Sequence, residues 1–187
     1  MNNSIPDFVT HYYLADRKPF LTISELSGKE LEEVLTDLRK KNERGESKRW
    51  IAPWYVEDRK KTEDFLREEF LKKGGTVERQ FPLYFIHGHS EGIKNIAEQK
   101  EIRIPLSELP KDRISFTYPD SMATFVLKDD PPFRKPYHGK VFTYDEIIEV
   151  INEFGFPGEG LERCSKFMYP NCIEMQLWSD EPVKHYR

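Results

Sequence analysis

Cysteine is scarce, long apolar runs are missing, and neither sign of charge dominates. The 187 residues include two cysteines, Cys164 and Cys172. That number is too small for a disulfide-built framework, and without a sign of export a reduced pair is the expected state. Apolar runs span only a few residues, against the ~20 that a membrane-crossing helix needs, so no membrane partner is expected. The opening MNNSIPDFVTHYY has no basic stretch followed by an apolar one and does not read as a secretory signal. A cytoplasmic location is the expectation. No G-x-G-x-x-G or G-x-x-x-x-G-K-[ST] pattern occurs. Those two phosphate cradles are therefore excluded. The net charge of −4 speaks against a protein that coats duplex DNA, where phosphate neutralisation needs a strong basic excess.

What is present is aromatic. Thirteen Phe and nine Tyr accompany 33% charged residues, a polar but globular balance that disordered chains lack. The length suits one domain, residues 1–187, with no repeat and no dividing linker.

Local patterns give the elements. Residues 5–14 read as a strand in which Phe8, Thr10 and Tyr12 alternate with Val9, His11 and Tyr13. Ser27 with Glu30 fits a capping box, and Leu31, Val34, Leu35 and Leu38 follow at helical spacing. A second helix is predicted from Pro53 to Gly74-Gly75. Residues 76–87 predict a strand that Pro82 confines to an edge or a bulge. A short helix over 90–99 and strands over 101–106 and 114–118 follow, with Pro119-Asp120 as a turn. Residues 129–138 read as a proline-stiffened surface loop. Thr143 and Glu146 form a second capping box before a helix that Gly155 ends, and residues 172–178 form the closing strand. Helices thus fall mainly in the N-terminal half. The expected class is α+β, with those helices packed on a mixed or antiparallel sheet.

Three segments carry candidate chemistry. In the closing strand, alternation puts Ile173, Met175 and Leu177 on one face and Glu174, Gln176 and Trp178 on the other. The polar face reads either as the border of a cleft or as the exposed half of an edge strand. Residues 39–49 hold six cationic and two acidic side chains, followed by Trp50, Trp54 and Tyr55. Such a pattern suits a nucleic-acid groove or a solvated helix end favoured by the helix dipole. His87-Gly88-His89 offers two imidazoles at the spacing of a metal or acid–base pair, but no third ligand lies nearby in sequence and no metal is expected.

The order of these pieces resembles the ADP-ribosyltransferase fold, and within it the DNA ADP-ribosyltransferase toxins. Thr10-His11-Tyr12-Tyr13 looks like the opening strand of that fold, and Phe81-Pro82-Leu83-Tyr84-Phe85 resembles the V-P-x-Y-F segment of the toxins. The run from Ile114 to Ser121 is similar to a strand ending in F-T-D. Ile173-Glu174-Met175-Gln176-Leu177 sits where the family has its catalytic glutamate, with the order of Glu and Gln reversed relative to arginine-specific members. The resemblance implies NAD as substrate, Glu174 as the catalytic carboxylate, His11 as the ribose ligand, Tyr84 stacked on nicotinamide, and Arg49 on the diphosphate. It implies a single-stranded nucleic acid or a protein as acceptor. Two other readings stand beside it: a non-catalytic binding domain, and a histidine- or metal-dependent hydrolase using His87, His89 and His138.

Overall fold

Five α-helices and seven β-strands, apart from short 3-10 turns, are present in the computed structural model, which describes residues 5–48 and 51–187. The first half holds β1 (Phe8–Leu14), α1 (Gly28–Glu43), α2 (Tyr55–Lys72), β2 (Leu83–His87) and the short α3 (Glu91–Lys94). Next come β3 (Gln99–Pro105), β4 (Ile114–Thr117), α4 (Ser121–Leu127) and α5 (Tyr144–Phe154). The chain closes with β5 (Leu161–Arg163), β6 (Met168–Pro170) and β7 (Glu174–Leu177). β5 and β6 pair as a small ribbon; the others form a five-stranded sheet in the order β3-β1-β2-β7-β4, antiparallel throughout. The fold is α+β, but its helices are interspersed with the strands rather than gathered in the first half. The difference arises at Tyr118-Pro119-Asp120, where the expected turn is also a helix start. Asp120 Oδ1 accepts the Ala123 N–H at 3.1 Å and caps α4.

Alternation along the strands builds two different faces. On one, Val9, Leu83, Phe85, Ile114, Phe116, Ile173, Met175 and Leu177 meet Ile147 and Ile151 of α5 in the main core. The Thr143–Glu146 capping box at the start of α5 is complete, with both reciprocal hydrogen bonds. On the other face α2 lies across the sheet, bringing Leu66 and Phe70 against Trp178, whose ring stacks on Phe70 with centroids 6.3 Å apart. Burying each of these large side chains contributes about 2–3 kcal/mol.

Two expectations about strand position change. Pro82 stands immediately before β2, so its missing N–H costs the ladder nothing, and β2 is the middle strand of five. β7 lies between β2 and β4, and Gln176 and Trp178 on its polar face are fully buried. It is an interior strand, not an edge.

α1 begins at Ser27 as expected, but the Ser27 side chain makes no capping hydrogen bond. Its apolar stripe of Leu31, Val34, Leu35 and Leu38 is only half-buried. Packing of its neighbours stops short of α1, and the space left over is the cavity described next.

Candidate active site

A cavity of about 610 Å³ lies over β1 and β2. Val34 and Leu38 of α1, Tyr55 and Arg59 of α2, and Tyr84, Asp120 and Glu174 are among the side chains lining it. This volume is in the range of small-molecule sites.

Glu174 reaches the cavity because β7 is interior and its side chain points to the α2 side. In the sheet it pairs with Ile86 on one flank and Thr117 on the other. Its Oε2 accepts the Ser121 N–H at 2.8 Å and faces the Gln176 amide at 3.5 Å. Gln176 is itself fixed: Ser115 Oγ donates to its carbonyl at 3.0 Å, and its amide donates to Thr117 Oγ1 at 3.3 Å. The Trp178 indole N–H completes the chain by donating to Ser115 Oγ at 2.9 Å. A buried, satisfied polar network of this kind holds its members in one arrangement.

Asp120 stands beside this carboxylate. Burial and the Glu174 charge push its pKa up to about 7. Burial also raises Glu174, opposed by the Ser121 hydrogen bond and the Arg59 charge. Two neighbouring carboxyls in little water cannot both ionise freely, so the pair holds on to a proton near neutral pH. Asp120 Oδ2 is buried with no hydrogen-bond partner among the described residues.

Arg59 supplies the counter-charge. It forms an ion pair with Glu63 at 3.1 Å, with side chains 13% and 0% exposed. Its guanidinium lies 4.3 Å from the centre of the Tyr84 ring and donates to the Tyr55 hydroxyl at 3.0 Å. The Tyr84 hydroxyl donates to Glu63 at 3.0 Å. The guanidinium thus pairs directly with Glu63, and its charge also acts on Glu174 and Asp120.

Tyr84 and Glu174 both line this cavity. His11 lines it too, but its ring is used by the backbone. Nδ1 lies 2.9 Å from the Tyr84 carbonyl and Nε2 accepts the Phe20 N–H at 2.9 Å. The ring stacks on Phe20 at 4.6 Å and tilts against Phe85 at 5.3 Å, on the core side of the sheet. Pairing of β1 with β2 is limited to Val9–His87 and Thr10–Ile86, and His11 inserts where it ends. This arrangement corrects the expectation of a free ribose ligand: both ring nitrogens have backbone partners, and burial depresses the pKa to about 4. Arg49 lies outside the described residues. Of the basic stretch around it, Lys40 and Lys41 close the last turn of α1, Lys41 pairing with Asp16 and Asp37, while Arg44 pairs with Glu46.

The histidines of the hydrolase reading go to separate places. His87 packs against Phe116 and Phe156 with Nε2 on the Pro6 carbonyl, and His138 Nδ1 accepts the Lys135 N–H. His89 bonds Tyr12 and Glu91. Among the described residues no group of three or more His, Cys, Asp or Glu is arranged to hold a metal. Both cysteines are buried and unbridged.

Sequence reasoning passed over Arg59, Glu63 and Asp120. A signal existed for the first two. Arg59, Thr62, Glu63, Leu66 and Phe70 fall on one helical face, so the charged pair continues the apolar stripe. Charges in line with a buried stripe mark a desolvated ion pair. Comparison with protein-family models, curated proteins and solved structures finds no match to this chain.

Proposed function

We propose that the chain is an ADP-ribosyltransferase-like enzyme that cleaves NAD at the nicotinamide–ribose bond and passes ADP-ribose to a nucleic-acid or protein acceptor. The observation that carries this reading is Glu174: a carboxylate held by a backbone N–H and a buried amide at the wall of a substrate-sized cavity. When the bond from C1′ to the nicotinamide nitrogen breaks, both electrons leave with the ring, which becomes neutral, and positive charge develops on the ribose. A fixed anion beside that carbon stabilises the charge, as carboxylates do in glycoside cleavage. One such pre-positioned group contributes about 3–4 kcal/mol. The acceptor then bonds to C1′ and gives up a proton.

Arg59 opposes the burial that raises the Glu174 pKa and so favours its anion, while covering one face of Tyr84. Tyr84 retains the nicotinamide-stacking role, and Arg49 the diphosphate role, that the resemblance assigns them. His11 fixes the end of β1 and is left out of the ribose contact.

NAD binding to the native state raises the melting temperature through linkage. The test is a thermal-shift titration of the full chain with NAD: a rise that saturates is expected, and no rise at millimolar NAD overturns the reading.

A further inference from the structure

On the same sheet face as Glu174 stands a second arrangement that the donor chemistry does not use. Tyr12 lines the cavity from β1. Its hydroxyl lies 2.8 Å from His89 Nδ1, and His89 Nε2 lies 2.6 Å from Glu91 Oε1. Glu91 is held in turn by the Asn95 amide, which donates to Oε2 at 3.0 Å. The Ser90 N–H donates to the Tyr12 oxygen at 3.1 Å.

The proton positions follow from what each group can do. A carboxylate only accepts, so His89 Nε2 carries the hydrogen facing Glu91. In the neutral ring Nδ1 is then the acceptor, and the Tyr12 oxygen, already receiving the Ser90 N–H, directs its own proton there. Tyrosine, imidazole and carboxylate stand in the order of nucleophile or base, proton acceptor and orienting anion that defines a relay. Burial and the Glu101 and Glu91 charges raise the pKa of the Tyr12 phenol, the Ser90 N–H opposing them, so the phenol keeps its proton at rest and passes it on only as the acceptor's arrives.

Placement connects the two sites. Thr10 pairs with Ile86, and Ile86 with Glu174, so these residues share one face of the sheet. Tyr12, two positions beyond Thr10, points to the same side. β1 and β7 are separated by β2 alone, about 10 Å between strand axes, which leaves room for a ribose between the two side chains.

We propose that Tyr12 is the general base that activates the acceptor, with His89 and Glu91 as its positioning residues. This role rests on the transferase reading above. As the acceptor oxygen or nitrogen bonds to C1′, its proton passes to the Tyr12 oxygen while the Tyr12 proton passes to His89 Nδ1. The resulting imidazolium is paired with the Glu91 carboxylate, and the reverse transfer to solvent restores the resting state. An acceptor presenting a hydroxyl or an amide nitrogen fits this chemistry, because such groups must lose a proton to complete the bond. An already nucleophilic thiolate needs no such base.

A reagent that does not involve NAD tests the relay. An aryl sulfonyl fluoride reacts with an activated phenol: the tyrosine oxygen bonds to sulfur, fluoride leaves, and the phenol proton goes to the base. Peptide mapping by mass spectrometry gives the rate at each tyrosine of the native full chain. Tyr12 is expected to react on the order of 10²-fold faster than the other tyrosines, the usual scale of general-base assistance. His89→Ala is expected to remove that advantage and added imidazole to restore it; Glu91→Gln, at an exposed position, lowers it without disturbing the fold. Tyr12 reacting no faster than its neighbours, or unchanged in both variants, overturns the relay. That failure leaves the NAD reading standing, since it is decided at Glu174, and failure at Glu174 leaves the labelling result intact.

Discussion

The backbone N–H of Ser121 donates to Glu174 Oε2 over 2.8 Å, tying the interior strand β7 to the helix that Asp120 caps. The consequence is that two carboxyl groups, distant in sequence, share one poorly solvated site.

That sharing has a pH signature. The Asp120 pKa is raised to about 7, and Glu174 moves in the same direction. A carboxyl with a raised native-state pKa gives stability that is present below its unfolded-state pKa and lost as pH rises through the native value. Asn caps a helix as well as Asp does and carries no charge. Asp120→Asn is therefore expected to be more stable than the native protein, by about 2 kcal/mol at pH 8. Its advantage should widen between pH 4 and 7 and then stay level. Urea denaturation across that range checks this, and a constant difference contradicts it.

Gln176, fully buried together with Ser115 and Thr117, bridges these two hydroxyls and Glu174. Gln176→Met keeps the volume but leaves the two hydroxyls and the carboxylate short of partners. A loss of about 2–3 kcal/mol is expected from unsatisfied buried groups, measured by thermal or chemical denaturation. A neutral substitution would show that the amide does not position Glu174.

Arg59 and Glu63 form the buried charge pair of α2. Arg59→Met strands Glu63 and is expected to cost about 3 kcal/mol. Adding Glu63→Gln, which keeps an acceptor for the Tyr84 hydroxyl, should recover most of that loss. The double variant nevertheless lacks the cation beside Glu174 and Tyr84, so NAD binding by calorimetry should remain weak. Recovery of both stability and binding would reduce the pair to a structural role.

The buried histidines act in the opposite direction to the carboxyls. Burial depresses His11 and His138 to about 4 and lowers His87 as well. Their native forms stay neutral while the unfolded chain takes up protons, so stability is lost as pH falls from 6.5 towards 4. Each fully effective group contributes up to about 3 kcal/mol to that loss. His11→Phe forfeits two backbone hydrogen bonds and is less stable at pH 7, yet its stability should fall less steeply on acidification. Parallel pH profiles for the two proteins would contradict this assignment of His11.

Local chemistry was the legible part of the fold. Capping residues located α1 and α5, Gly74-Gly75 marked the end of α2, and alternation separated Ile173, Met175 and Leu177 from Glu174, Gln176 and Trp178. Strand order was not legible, because pairing β7 between β2 and β4 depends on contacts far apart in the chain. For that reason the polar face of β7 could be read either as the border of a cleft or as a solvated edge; it lies under α2, with Glu174 at the cavity wall. The β5–β6 ribbon was missed because three-residue strands carry too little alternation to register. At the site, strand alternation singled out Glu174, and Tyr84 came from the family resemblance alone. Asp120 could not be found by pattern, since one residue both caps a helix and faces a carboxylate fifty-four positions later.

The central claim is that the charge of Glu174 drives departure of nicotinamide. Single-turnover release of nicotinamide from NAD, compared between the native chain and Glu174→Gln, tests it most directly. The glutamine keeps a carbonyl to accept the Ser121 N–H but holds no charge. NAD binding should survive in the variant while release slows by roughly 10²–10³-fold. Release at the native rate from Glu174→Gln, or none from the native chain itself, would contradict the claim.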